Sequence, residues 1–176
     1  MEKSFKIYSK ELALRILVAL ALGIFPKIFY IIFTPLTLHW SYFFFNIFVP
    51  ESALVGTKLL TFTNSFDFVP ACTAASAYML LAFLILLTKD IRPVERVKMF
   101  VYGSLAILAF NLIRIELLLF FFFKLNQAYP AVHLFFWKFM STIFVVAVWL
   151  VLAKAYKIKS IPVYSDLKYI LRRIKR

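Results

Sequence analysis

The chain has 176 residues, of which 64% are apolar and 19% aromatic, and it contains only 3 glycines. This composition leaves too little polar surface to cover a water-soluble globule, so we expect a membrane protein. The formal net charge is +13. The lysines and arginines lie at the two ends and in one internal loop, without the basic and aromatic surface of a nucleic-acid binder. We therefore expect no nucleic-acid partner and attribute the charge to topology and anionic lipid.

Long apolar stretches predict about four transmembrane helices, because one span needs roughly 20 apolar residues. In chain order they cover residues 12–33, 71–88, 99–123 and 131–153. The first continues far beyond the short apolar core of a signal peptide and has no small-residue cleavage site, so we expect it to stay in the protein. Pro26 predicts a kink in this span, and Pro70 suits the start of the second.

Two further elements are predicted between the first and second spans. Residues 34–49 mix phenylalanines with polar groups, which is typical of an aromatic helix lying in the membrane interface. A second full span there is the less favoured alternative, because it leaves barely enough residues for a turn. Residues 51–69 alternate around Gly56 and Asn64, which predicts a short extracytoplasmic β-hairpin. The predicted fold class is thus an all-α integral membrane protein forming a single domain over residues 1–176.

The positions of the basic residues predict the orientation of the chain. The N-terminus, the loop at 89–98 and the tail at 154–176 are all basic, and short cytoplasmic segments retain such residues. An even number of spans puts these three segments on one side, so both termini are expected in the cytoplasm. Residues 34–69 and 124–130 then face outward. We expect a multi-pass protein of the cell membrane with any active site on the extracytoplasmic side.

Three chemically distinctive side chains converge on the outer side in this topology. Cys72 lies at the outer end of the second span, His133 at the outer end of the fourth, and Arg114 roughly 13 Å below the outer end of the third. A long arginine can extend several Å toward the surface, so contact with Cys72 is feasible. The chain has 1 cysteine, which excludes an internal disulfide, and no Cys/His cluster has zinc spacing. We expect neither a metal nor a cofactor.

This trio fits acyl transfer by a cysteine nucleophile. A thiol attacks a carbonyl as the thiolate, which a helix N-terminus, an imidazolium and a guanidinium all stabilise. Cys72 would attack, and His133 would protonate the leaving amine. Arg114, or the backbone N–H groups of Thr73 and Ala74, would stabilise the oxyanion.

The same residues also allow structural interpretations. A lone cysteine in an apolar helix is commonly a packing residue, and a histidine at a helix end is commonly a polar cap. Burying an arginine costs several kcal/mol, so Arg114 indicates a function or a required ion pair. Asn111 lies on the same helix face and is expected to orient its guanidinium, whereas Glu116 points elsewhere and has no assigned role. A non-catalytic membrane subunit and a transporter component, with Arg114 lining an anion path, therefore stay open as alternatives.

Three segments together resemble the signature regions of the exosortase/archaeosortase family. They are VPACTAASAY, FNLIRI and AVHLFFW, in that order, each opening or lying within a predicted span. The resemblance covers residues 12–149, and the short chain looks like an archaeal-type member. It implies a membrane-embedded cysteine protease or transpeptidase. Its substrates would be secreted proteins with a C-terminal sorting signal, made of a short motif, one transmembrane helix and a basic cluster. The cleaved product would pass to an acceptor that is expected to be a membrane lipid.

The resemblance also implies roles for individual residues. Cys72 matches the nucleophile, Arg114 the essential arginine and His133 the third catalytic position, where some archaeal relatives carry an arginine. Ala74 stands where the family frequently has glycine, so close approach of a substrate to that backbone is less assured.

Overall fold

The computed structural model describes residues 2–62, 64–125 and 141–174. Six α-helices, three short strands and one 3-10 helix make up this part of the chain. In order they are α1 (Glu2–Ile24), α2 (Lys27–Phe48), β1 (Ala53–Val55), β2 (Lys58–Leu60), β3 (Ser65–Asp67), the 3-10 helix Pro70–Thr73, α3 (Ala75–Leu86), α4 (Pro93–Leu125), α5 (Ser141–Ala155) and α6 (Tyr164–Ile174).

The first two helices are separated by a short interruption at Phe25 and Pro26. Backbone bonds from Phe25 N–H to Ala21 O (3.0 Å) and from Phe29 N–H to Pro26 O (3.1 Å) carry the helical geometry across the break. Proline has no N–H to donate to the preceding turn, which accounts for the interruption. The helix is thus interrupted at Pro26, where a kink was expected, and the span expected at 12–33 is divided between α1 and α2.

The expectation of a separate interfacial helix at residues 34–49 is wrong, because these residues belong to α2. The helix continues through Pro35 to Phe48 without a break. Its buried positions recur every fourth residue, which places them on one face of a helix: Phe29, Phe33, Thr37, Ser41 and Phe45. This continuous face packs against the rest of the molecule. Its burial keeps residues 34–48 in the same helix, although their mixture of polar and aromatic side chains suggested a separate element.

The segment after α2 forms a three-stranded antiparallel sheet in the order β1-β2-β3, rather than the two-stranded hairpin expected. Leu59 on β2 pairs with Leu54 on one side and with Phe66 on the other. Gly56 forms the first turn with a φ of +63°, a conformation that glycine adopts without steric penalty. The chain turns both at Gly56 and near Asn64, so the segment forms three strands instead of the two of a hairpin.

Helices α3, α4 and α5 pack around a shared apolar core that includes Tyr78, Leu81, Met99 and Val145. Within the described residues, Lys27–Phe48 and Pro93–Phe122 are long and apolar enough to cross a membrane. Helix α3 is apolar but has only 12 residues, and the described part of the apolar helix α5 has 15. The span expected at 99–123 lies within α4, whereas residues 71–88 contain α3, which is shorter than the roughly 20 residues of a span, so four spans are not confirmed. The span expected at 131–153 is described only from residue 141, within α5.

The basic segments meet at one end of the bundle, which we call the basic end. Arg15 of α1 forms a salt bridge with Asp166 of α6 (2.9 Å) and donates to the backbone oxygen of Thr88 (3.2 Å). The backbone N–H of Val163 donates to Leu87 O (3.0 Å). Helix α4 starts here at Pro93, and 26 positions later its Leu119 packs against the sheet. The sheet therefore caps the opposite end, which we call the sheet end.

Candidate functional site

Cys72 lies at the sheet end, in the 3-10 helix that precedes α3. Its side chain is 3% exposed, and it packs in an apolar cluster with Phe45, Leu59, Phe66 and Ile115. Pro70 occupies the start of the 3-10 helix, and the Cys72 N–H donates to Val69 O at 2.8 Å. The cysteine is thus held on a short, locally hydrogen-bonded turn.

The structure corrects the expectation that Cys72 sits in the first turn of a transmembrane α-helix. Ala74 has a φ of +55° and separates the 3-10 helix from α3, which begins at Ala75. The unpaired N–H groups that give a helix N-terminus its positive end belong to the first turn of α3, beyond the cysteine. Stabilisation of a thiolate by that helix dipole is therefore weaker than the sequence suggested.

Two polar side chains from α4 converge on the backbone of Cys72. Asn111 and Arg114 are three residues apart, so they share a helix face, and each is 3% exposed. The Asn111 amide nitrogen donates to Cys72 O at 2.8 Å. The Arg114 guanidinium donates to the same oxygen at 3.2 Å and to Ala71 O at 3.5 Å. Asn111 and Arg114 thus share an acceptor, and together they fasten the cysteine turn to α4.

Burial and charge act on the Cys72 thiol in opposite directions. Desolvation disfavours the charged thiolate, whereas a neighbouring guanidinium favours it. Arg114 is the cation beside this turn, and its buried charge is partly balanced by the two carbonyl dipoles it contacts. A substrate that entered here would add a further polar partner for the same guanidinium.

The two supporting residues after the cysteine have different surroundings. The hydroxyl groups of Thr73 and Thr34 lie 3.2 Å apart and share a hydrogen bond that links the turn to α2. The Ala74 N–H donates to Ala71 O at 3.3 Å. Because that amide hydrogen is used within the turn, the expectation that Ala74 supplies an oxyanion donor does not fit this geometry.

Two further candidate residues are His133 and Glu116. His133, expected to be the third catalytic residue, lies outside the described residues. Glu116 on α4 is half-buried, and one of its carboxylate oxygens has no hydrogen-bond partner within the described part of the chain. Glu116 does not line either of the two clefts beside Cys72 in the described part of the chain.

Two clefts flank the cysteine turn. The thiol cleft, about 590 Å³, includes Thr37 and Asp67 in its lining, together with Cys72. The guanidinium cleft, about 310 Å³, is lined by Ala71, Arg114 and neighbouring residues. Tyr30 and Pro70 line both clefts.

Tyr30 and Thr34 are the site residues that the sequence interpretation missed. They lie on the polar face of α2, which sequence analysis divided between a span and an interfacial helix. If residues 27–48 are taken as one helix, the spacing of Tyr30, Thr34 and Thr37 places all three on the same face.

In the described ranges, no group of three or more His, Cys, Asp or Glu side chains could hold a metal ion. No family model matches the chain, and neither a curated protein nor a solved structure shows significant similarity to it. The functional assignment therefore depends on the site itself and on the motif resemblance.

Proposed function

We propose that this chain is a membrane-embedded cysteine transpeptidase that cleaves the C-terminal sorting signal of secreted proteins and transfers the product to a lipid acceptor. The observation that carries the proposal is the convergence of Asn111 and Arg114 on the backbone of the chain's one cysteine. The proposed nucleophile and arginine are 42 positions apart in sequence and meet in the fold. The order of the motifs that resemble exosortases and archaeosortases supports the same assignment.

A bilayer environment is part of the proposal. Large apolar side chains on the outer surfaces of α2 and α5 are highly exposed, including Ile31 (73%), Phe48 (78%) and Val151 (68%). Arg96 at the basic end and Arg114 at the site are 18 residues apart on α4, or about 27 Å along the helix. This length is close to the ~30 Å hydrocarbon core of a bilayer. With four spans and a cytoplasmic basic end, Cys72 would lie near the outer interface.

The reaction would proceed through a thioester. The Cys72 thiolate attacks the carbonyl carbon of the scissile peptide bond, and the carbonyl electron pair moves onto oxygen. The oxyanion is stabilised by Arg114, which lines the guanidinium cleft. Collapse of this intermediate breaks the C–N bond, and the leaving amine takes a proton from His133. A hydroxyl or amine of the acceptor then attacks the thioester, passes its proton to the now neutral His133 and releases the Cys72 thiolate.

The face of α2 at the thiol cleft offers groups for holding an extended peptide. Thr37 and Ser41 are 1% and 0% exposed, and their hydroxyl groups have no hydrogen-bond partner among the described residues. Thr37 lines the thiol cleft beside Thr34 and Cys72. A buried hydroxyl without a partner is unfavourable, so a peptide backbone bound in the cleft would gain hydrogen bonds from it.

A non-catalytic membrane subunit is the second candidate function, and the burial of Cys72 favours it. A thiol that is 3% exposed among leucine and phenylalanine side chains is typical of a packing residue. The two functions make different predictions for the thiol, because packing tolerates a small apolar replacement and catalysis does not.

Variants in the native host test the proposal. Cys72→Ser and Arg114→Lys should each cause some surface protein to keep its C-terminal transmembrane helix, as read by mass spectrometry of membrane proteins. Ser104→Ala is the matched control, because Ser104 is buried on α4, its hydroxyl has no partner in the described part of the chain, and it does not line the two clefts. Unchanged processing in Cys72→Ser, with the protein present at normal amounts, would remove the nucleophile assignment.

A further inference from the structure

Strand β3 forms one edge of the small sheet, since the strand order is β1-β2-β3. In an antiparallel pair, successive residues alternate between those that bond to the partner strand and those that face away from it. The Phe68 N–H donates to Thr57 O at 2.9 Å, so Phe68 is a residue that bonds toward β2. In the same register, the backbone N–H and C=O groups of Ser65 and Asp67 face away from β2, at the outer edge of the sheet.

This outer edge is free to pair. Within the described residues, the outward backbone groups of Ser65 and Asp67 have no hydrogen-bond partner. The Asp67 carboxylate accepts a hydrogen bond from the Thr57 hydroxyl at 2.9 Å, which directs the side chain toward the turn between β1 and β2 and away from the edge. A strand edge with free N–H and C=O groups is a template for a further extended chain.

The same edge leads into the thiol cleft. Asp67, Phe68 and Val69 all line this cleft together with Cys72. Val69 is extended, with a φ of −75° and a ψ of 158°, and its carbonyl oxygen accepts the Cys72 N–H at 2.8 Å. An extended chain paired with β3 would pass from Asp67 to Val69 in about 7 Å and would then reach the cysteine turn.

A buried hydroxyl in the cleft indicates a polar occupant. Thr37 is 1% exposed and lines the cleft, and its hydroxyl has no partner among the described residues. A peptide has N–H and C=O groups that repeat along its length, so it can bond to the edge of β3 and also to this hydroxyl. A lipid chain or a small anion has no such repeat, so the combination selects a peptide.

The order of segments in the substrate sets the direction of the bound peptide, and this step rests on the proposed function. There, the residues before the scissile bond are extracytoplasmic and a transmembrane helix follows. The residues after the bond enter the bilayer as a helix, so they cannot extend along β3. The residues before the bond can do so when they run parallel to β3, whose own chain also leads toward Cys72.

We propose that the substrate segment preceding the scissile bond binds as a fourth strand, parallel to β3 and along its outer edge. In parallel pairing, every second residue of the segment exchanges hydrogen bonds with the backbone of Ser65 and Asp67. The Val69 N–H then binds the peptide nearest the scissile bond. Backbone pairing accepts many side chains, so the added strand positions the scissile carbonyl beside the thiol and leaves sequence selection to the cleft.

Backbone methylation of a synthetic peptide tests this pairing. The peptide covers the residues just before the site at which the native host cuts a surface protein. Its binding to the purified full-length Cys72→Ala variant is measured by fluorescence polarisation. Removing one N–H by N-methylation should weaken binding about two- to tenfold at every second residue and change it little at the residues between. Equal effects at all positions, or no binding of the unmodified peptide, would overturn the fourth strand.

A proline variant tests the edge of the protein. Val69→Pro removes the N–H of this residue, and the φ of −75° already suits proline. Val69→Ala is the matched control, because it shortens the side chain and keeps the N–H. At equal thermal stability, Val69→Pro should bind the peptide about two- to tenfold more weakly than Val69→Ala. Equal affinity of the two variants would contradict the assigned edge, and the methylation scan judges the pairing even if Val69→Pro is unstable.

Failure of the fourth strand and failure of the proposed function give different results. Binding is measured on a variant without the thiol, so it does not depend on catalysis. Cleavage of the surface protein by the wild type, combined with equal effects of methylation at all positions, would overturn the strand and leave the transpeptidase. An alternating methylation pattern without cleavage would support the strand and remove the transpeptidase.

Discussion

The shared acceptor at Cys72 predicts strong energetic coupling between Asn111 and Arg114. Asn111→Leu and Arg114→Met each remove one donor from Cys72 O, while the other donor stays in place. The double variant removes both and leaves the backbone carbonyl of a buried turn without either side-chain donor. The free energy of unfolding of the four proteins forms a double-mutant cycle that measures the coupling directly.

The expected magnitudes follow from the two contacts. Losing the neutral bond from Asn111 costs about 0.5–1.5 kcal/mol. Losing the charged bond from Arg114 costs about 1.5–3 kcal/mol, partly offset because the desolvated charge disappears as well. An unsatisfied buried carbonyl adds about 1–3 kcal/mol, and only the double variant bears this penalty. The double variant should therefore lose about 1–3 kcal/mol more than the sum of the single variants.

The assay is reversible unfolding in mixed micelles, followed for the wild type, both single variants and the double variant. Ser104→Ala reports the effect of an unrelated buried substitution on α4. Additivity to within about 0.3–0.5 kcal/mol is the behaviour of independent sites. That result would refute the conclusion that the two side chains act through one carbonyl.

Three further predictions concern the backbone, the helix packing and the accessibility of the thiol. Ala74→Gly should raise stability by up to about 1 kcal/mol in thermal unfolding, since an L-residue at a φ of +55° is strained; a lower Tm would contradict this. Gly103→Ala should destabilise by about 1 kcal/mol or more, because the new Cβ would stand 2.6 Å from a Leu81 methyl. Gly23→Ala is its control, with the nearest atom at 3.5 Å, and equal effects would argue against tight packing at Gly103. A membrane-impermeant maleimide should label Cys72 slowly in whole cells and rapidly after unfolding, and labelling only from the cytoplasmic side would contradict the proposed orientation.

Local signals in the sequence predicted part of this architecture correctly. The interruption at Pro26 follows from the missing N–H of proline, which removes one hydrogen bond to the preceding turn. The common face of Asn111 and Arg114 follows from helical spacing alone. Both features depend on neighbours in the chain, so no knowledge of tertiary packing was needed to predict them.

Other features depend on packing between distant segments, and the sequence patterns did not reveal them. Helix α2 runs through Pro35 because its buried face is covered by α3, α4 and the cysteine turn, and covering one face is a tertiary effect. The left-handed conformation at Ala74 separates the 3-10 helix from α3, and no glycine there announces it. Glycine, which the resembling family frequently has at this position, would adopt that conformation without strain.

Cleavage by the purified protein tests most directly whether the Cys72 thiol is the nucleophile. The chain is reconstituted in vesicles with a surface protein whose C-terminal helix the native host removes, and the cleaved fraction is measured over time. Cys72→Ala is compared with the wild type at equal amounts and matched thermal stability, since alanine retains most of the small apolar packing volume. If Cys72 is the nucleophile, the wild type should cleave the surface protein and Cys72→Ala should not. Equal cleavage by the two proteins would contradict this role of the thiol.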